Sequence, residues 1–275
     1  MEHYLWLLAL GFPLGALGTL IGAGGGFILA PVLLLLYPNN APETITSISL
    51  AVVFFNALSG SYAYGRLARI DYKSGLLLAA AAVPGAIMGA LGTKGIPRRT
   101  FDVVFGIVMM AAAIYTVIHR STQRPLVDSQ SKYQWTRSVI EKNGTTHVFS
   151  FDTRLGIGLS MFVGYVSSLL GIGGGIIHVP VLVRLLNFPV HIATATSHFI
   201  LAIMALAGTV VHVVTGSFSQ GGIHRAIILS VGVVFGAQVG AWLSAKVRGT
   251  WIIRALAAAL VLVGIRIVLM GLEML

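Results

Sequence analysis

The sequence predicts an all-α polytopic membrane protein made of two homologous halves arranged as inverted repeats, and three observations predict it. The composition is that of a bilayer protein, 56% apolar and only 9% charged, against roughly 25% charged residues in a soluble domain. A glycine cluster within an apolar run occurs twice, around Gly22, Gly24, Gly25 and Gly26 and around Gly171, Gly173, Gly174 and Gly175. The copies are in register, since Gly22 to Gly171 and Pro31 to Pro180 are both 149 residues apart. A duplicated break in apolar segments points to a transporter site between repeated halves.

Later features keep the same order. Thr44, Thr46 and Ser47 match Thr194, Thr196 and Ser197 at an offset of 150, and Gly85 and Gly89 match Gly236 and Gly240 at 151. The reading divides the chain into a first transmembrane repeat over 1–120, a polar linker over 121–152 and a second repeat over 153–275.

Apolar segments run over 4–37, 44–65, 74–93, 101–119, 154–186, 191–215, 223–245 and 251–272. A helical span needs roughly 20 residues, and the alternation of an outer-membrane barrel is absent. The segments 4–37 and 154–186 are too long for one straight span and too short for two. Each therefore reads as two helical pieces meeting at the glycines. Met1 to Tyr4 has no basic residue ahead of the first apolar run, so that segment reads as a retained helix rather than a signal peptide.

If each broken segment enters and returns, three spans follow it in each half. An odd number of crossings puts the halves in opposite orientations; a broken segment that crossed completely would give parallel repeats instead. The linker and the residues flanking it carry Arg120, Arg124, Lys132, Arg137, Lys142 and Arg154 against Asp128, Glu141 and Asp152, a basic excess that favours the cytoplasmic side. Within it Asn143-Gly144 separates two β-branched stretches, Ser138–Lys142 and Thr145–Phe149, which predicts a small surface β-hairpin with both turn residues at positive φ.

The formal net charge is +10, but the basic residues sit in short gaps between apolar runs, such as Arg66, Arg69 and Lys73. That pattern sets topology and contacts lipid headgroups, and it argues against nucleic acid as a partner. There is no cysteine, so disulfides, thiol catalysis and thiolate metal sites are excluded.

Several glycines together would leave backbone amides unpaired in lipid, so the breaks belong inside protein or beside a watery cavity. Pro31 and Pro180 mark helices restarting near Phe27–Ala30 and Ile176–Val179, with the proline in the first turn. Each restarted N-terminus offers free N–H groups and partial positive charge, and glycine lets a ligand approach. Two facing each other would hold an anion; the alternative is that the glycines only permit close helix packing.

Hydroxyls of Thr46, Ser47, Thr196 and Ser197, with Thr44, Ser49 and Thr194 beside them, are candidates to complete an oxyanion site, or else N-cap helices after Pro42 and Pro189. His178, His198 and His212 lie in apolar segments of the second half, as does Gln238, while Asn56 lies in the first. Intramembrane ionisable residues point to function: His198 is a candidate to bind the anion together with the hydroxyls, and His198 and His178 are the candidates for proton coupling; a hydrogen-bonded structural role is the alternative. Arg184 and Arg266 read either as snorkelling to headgroups or as countering substrate charge.

No Asp or Glu falls in the middle of an apolar segment. Buried carboxylates are common in cation transporters, and an intramembrane hydrolase needs a nucleophile with a base or a metal set. The sequence therefore reads as a non-enzymatic protein for anions, without metal or cofactor.

With GAGGGFILAP at 22–31, GIGGGIIHVP at 171–180, a Thr/Ser-rich segment after each, and the later PGAIMGA and FGAQVGA runs, the chain resembles the sulfite exporter TauE/SafE family, the toluene-sulfonate uptake permeases. The resemblance covers both halves and not the linker. It implies a secondary transporter of sulfite, thiosulfate, sulfonates or related small anions across the bacterial cytoplasmic (inner) membrane. It leaves the member of that class and the direction of transport open. The rival expectations are a passive anion channel and a non-transporting membrane assembly or sensor protein.

Overall fold

The computed structural model describes residues 5–118, 133–219, 221–244 and 246–247, and the helical positions Arg254, Ala258, Val261, Leu262 and Ile265. Arg120, Arg124, Asp128, Lys132, Arg266 and most of the 251–272 segment lie outside the described residues. The elements are α1 (Leu5–Ile21), α2 (Gly26–Leu36), α3 (Pro42–Arg66), α4 (Tyr72–Gly92), α5 (Arg98–Ile118), β1 (Gln134–Ile140), β2 (Thr146–Asp152), α6 (Thr153–Leu170), α7 (Gly175–Arg184), α8 (Val190–Val214) and α9 (Gly222–Ser244).

Among the described residues, α3, α4, α6, α8 and α9 are long and apolar enough to cross a membrane. α5 is as long as α4, but it opens on Arg98, Arg99 and Asp102. The outward faces carry apolar side chains such as Leu58, Leu76, Met88, Phe162, Val213 and Phe235, which suits lipid rather than water. The chain is a multi-pass membrane protein.

The halves exchange partners. α1 packs on α9, α4 packs on α6, and α3 lies between α8 and α9 while α8 also contacts α4. The seams use small residues, as expected where close backbone approach replaces the hydrophobic effect. Gly232, Gly236 and Gly240 face the α1 backbone at Leu8, Phe12 and Ala16, while Gly85 and Gly89 face α6 at Met161 and Tyr165. The glycine pairs matched in sequence thus perform the same packing task in both halves.

These registers give directions. Contacts advance together along α1 and α9, and along α4 and α6, so each pair is parallel. Leu50 meets Gly208 and Gly60 meets His198, so α3 and α8 are antiparallel.

The helices break where the glycines are, between Ile21 and Gly26 and between Leu170 and Gly175. Gly22, Gly24, Gly25, Gly171, Gly173 and Gly174 all have φ between 68° and 84°, a region that side chains with a Cβ rarely enter. The chain reverses there: a Cβ at Gly25 would lie 2.8 Å from the Leu14 carbonyl oxygen, two turns back from the end of α1. The prolines differ from expectation. α2 and α7 begin earlier, at Gly26 and Gly175, so Pro31 and Pro180 are sixth in their helices, where a proline leaves the i−4 carbonyl without its bond.

The linker hairpin exists, with β1 and β2 antiparallel from Gln134↔Asp152 to Ile140↔Thr146. Its turn departs from the expectation. Only Gly144 of the Asn143-Gly144 pair has positive φ; Gly144 N–H donates to the Glu141 carbonyl and Glu141 N–H to the Thr145 carbonyl, a type I turn closed by a glycine bulge. It also packs one face on the bundle while its turn stays exposed. Phe149 and Phe151 are buried against Phe188 between α7 and α8, with ring centroids 4.3 and 5.3 Å away.

Candidate functional site

The two glycine breaks meet at mid-depth. Every residue of 22–26 and 171–175 is buried. A Cβ at Gly26 would lie 2.8 Å from the Ile172 carbonyl oxygen, and one at Gly175 would lie 2.6 Å from Ala23 Cα. Val53, halfway along α3, fills the hollow between them: its side chain would be 3.0, 2.6 and 2.5 Å from Cβ atoms at Gly24, Gly26 and Gly173. Leu201 and Met204, halfway along α8, close on Gly24 and Gly174.

α2 and α7 both start at this junction. Gly25 accepts from Ile28 and Leu29 N–H, and Gly174 accepts from Ile177 and His178 N–H, leaving Gly26, Phe27, Gly175 and Ile176 N–H without acceptors inside their helices. No side chain caps either start. Two positive helix ends therefore converge in a region whose carboxylates are elsewhere: among the described residues, the buried acids are Asp71, Asp102 and Glu141, all at helix ends or in the hairpin.

The hydroxyls predicted from sequence lie around this junction, tied to protein. Crosswise bonds join the halves, with Ser49 Oγ donating to the Gly171 carbonyl (2.6 Å) and Ser197 Oγ to the Gly22 carbonyl (3.2 Å). The Thr46 and Thr194 side chains press on the first glycine of the opposite break, Gly171 and Gly22. Their hydroxyls, and that of Ser47, bond back to Glu43, Val190 and Thr44 carbonyls. None serves as an N-cap; those positions are Ala41 and Pro189, without side-chain bonds. Thr196 Oγ1 accepts from the Asp71 N–H at 3.1 Å.

The histidines separate. His198 Nε2 is 3.2 Å from Thr19 Oγ1, in α1 just ahead of the first break, and its ring stands edge-on to Tyr64. Tyr64 donates to the Thr19 carbonyl at 2.7 Å. His178 turns to α6, 3.1 Å from Ser160 Oγ. His212 is buried near the end of α8. Gln238 donates to the Ser59 carbonyl and hydroxyl, joining α9 to α3. Thr19 and Tyr64 were not singled out by sequence; the usable signal for Thr19 was its match to Ser168 at the same 149-residue offset.

The hairpin seals one end of the bundle. Arg137 makes a two-pronged pair with Asp71, which also caps α4 through Ser74, and Arg69 and His147 both reach Glu141 at 2.8 Å. Burial alone pushes the Asp71 and Glu141 carboxyls up. The hydrogen bonds and charge of Arg137 and Ser74 on Asp71, and of Arg69 and His147 on Glu141, outweigh it and hold both below the ordinary carboxylate range.

The family model described as Sulfite exporter TauE/SafE matches residues 7–267. The chain belongs to this family. Among TauE/SafE relatives, Probable membrane transporter protein YunE of Bacillus subtilis is 30% identical over 98% of each chain. Probable membrane transporter protein MJ0441 of Methanocaldococcus jannaschii is 24% identical over 88% of this chain and 86% of its own. YdhB of Bacillus subtilis, also a probable membrane transporter protein, is 27% identical over 86% of each. No solved structure matches.

Proposed function

We propose that this TauE/SafE protein is a secondary transporter of a small sulfur-containing anion, sulfite, thiosulfate or an organosulfonate. The anion is held near the midplane by the backbone amides of the two glycine breaks. The observation that carries the reading is the meeting of the α2 and α7 N-termini at mid-depth with, among the described residues, no buried carboxylate beside them. Free N–H groups and helix dipoles attract an anion there. Val53 packs on Gly24, Gly26 and Gly173, so in this reading entry of an anion between the helix starts requires that side chain to move.

The repeats over 1–120 and 153–275, around the 121–152 linker, are inverted in this reading. Support comes from the helix directions: α3 opposes α8, while α1 runs with α9 and α4 with α6. Inverted halves rocking about a fixed midplane site provide alternating access. Proton coupling runs through His198, which touches Thr19 beside the first break. His178, bonded to Ser160, takes the structural role.

The test is flux in liposomes containing the purified protein. Saturable uptake of sulfite or thiosulfate that responds to an imposed pH gradient supports the reading. Flux linear in concentration and insensitive to the gradient indicates a channel, and no flux indicates a non-transporting protein.

A further inference from the structure

Buried polar atoms without partners are costly in a membrane interior, where no water can satisfy them. Two of these atoms stand at the α2 and α7 N-termini. Asn56, in α3, is fully buried, and its Nδ2 has no partner while lying 3.8 Å from where a Cβ of Gly25, the N-cap of α2, would be. Ser167, in α6, is also fully buried, and its unpartnered Oγ lies 2.7 Å from where a Cβ of Gly174, the N-cap of α7, would be.

In the structure the free atom of the Asn56 amide is its nitrogen. Thr19 Oγ1 donates to Asn56 Oδ1 at 3.1 Å. Having given its only proton, Thr19 accepts from His198 Nε2. The relay His198 to Thr19 to Asn56 therefore spends the amide oxygen and leaves two N–H donors over. Serine likewise has a hydroxyl proton to give.

From this we infer that Asn56 and Ser167 are substrate-binding residues, each adding a side-chain donor to the backbone N–H groups of one helix start. The inference rests on the anion-transport reading above. Donors without acceptors suit an oxyanion, whose several oxygens can each accept a bond. The two positions are not equivalents in the repeat: Ser167 matches Gly18 at the 149-residue offset of the breaks, and Asn56 matches Leu206 at the 150-residue offset of α3 and α8. The seat is therefore asymmetric, with the amide at one end, suiting an anion whose ends differ, such as thiosulfate or a sulfonate, over a symmetric one.

The experiment compares wild type, Asn56→Asp and Ser167→Ala, purified in detergent, by thermal shift against sulfite, thiosulfate and methanesulfonate. Asn56→Asp keeps the oxygen that Thr19 needs and replaces the free donor with an acceptor. Ser167→Ala removes a hydroxyl that bonds to nothing. Ser167→Ala should keep the wild-type midpoint without anion, within experimental scatter, whereas Asn56→Asp should lower it, because it buries a carboxylate without a partner. Ser167→Ala should raise the half-saturating concentration about 10-fold, and Asn56→Asp by about 100-fold or more. Wild type that binds, with variants that bind equally well, overturns this inference and leaves the transport reading intact. Wild type that binds none of the three anions overturns both. Should Asn56→Asp fail to fold, Asn56→Thr tests the same position, since it lacks the amide N–H₂ but keeps a polar atom for Thr19; unchanged affinity there also overturns the inference.

Discussion

Val53 is the side chain on which both glycine breaks close, so Gly173→Ala and Val53→Ala should be strongly coupled. At Gly173 the backbone has φ 79° and an added Cβ would sit 2.5 and 2.9 Å from the two Val53 γ-carbons. The left-handed conformation costs a residue with a Cβ about 1–2 kcal/mol, and overpacking adds about 1–3 kcal/mol. Gly173→Ala alone should therefore lose about 2–5 kcal/mol. Val53→Ala removes two buried methyl groups at about 0.8 kcal/mol each, plus a cavity contribution, or roughly 2–3 kcal/mol. In the double variant the new methyl enters the vacated space, leaving mainly the backbone strain. The pair should be less destabilised than the sum by about 1–3 kcal/mol. Unfolding of the four proteins in mixed detergent–dodecyl sulfate micelles reads this directly. Additivity within about 0.5 kcal/mol would refute the shared packing centre.

Other outcomes follow from the same geometry. Arg137→Ala strands the buried Asp71 carboxylate and should cost about 3–5 kcal/mol, read as a lowered unfolding midpoint; a change below about 1 kcal/mol contradicts the hairpin's sealing role. Because Asp71 and Glu141 are held below their ordinary values, their stabilisation is complete above the ordinary carboxylate range, about pH 4. It is lost as pH falls through their lowered folded values, so midpoints measured from pH 6 downward should drop, and by less in Asp71→Asn. Thr196→Val leaves the Asp71 N–H unpaired and should cost about 1–3 kcal/mol, whereas Thr46→Val, which loses only a bond to its own helix, should cost under about 1 kcal/mol; equal losses argue against this distinction. His198→Gln should weaken the response of uptake to an imposed proton gradient while His178→Gln leaves it unchanged; a retained gradient response in His198→Gln ends the coupling role.

The breaks were legible because glycine has few uses inside apolar helices, and two copies at one offset remove coincidence. Gly85 and Gly89 against Gly236 and Gly240 were legible as marks of the repeat, but their packing on α6 and α1 was not, because pattern does not say which helix lies opposite. The proline position was not, because helix starts are set by where backbone turns can close, and glycines at positive φ moved each start to Gly26 and Gly175. Hydroxyl roles were also hidden. A Thr or Ser in a buried helix can bond its own turn, as Thr46 and Ser47 do, or a distant carbonyl, as Ser49 and Ser197 do, and only tertiary placement decides. Asn143-Gly144 signalled the hairpin, but burial of Phe149 and Phe151 depends on Phe188, a residue too distant in sequence to connect by pattern. Asn56 stood out as a polar residue in an apolar run; Ser167 did not, since serine is ordinary at small-residue helix contacts.

The measurement that tests the central claim most directly is uptake of labelled thiosulfate into liposomes containing the wild-type protein, across a range of concentrations and with sulfite as competitor. An anion held at the convergent α2 and α7 N-termini predicts uptake that saturates and that sulfite reduces competitively. Uptake no faster than in protein-free liposomes, or uptake rising linearly without competition, would contradict it.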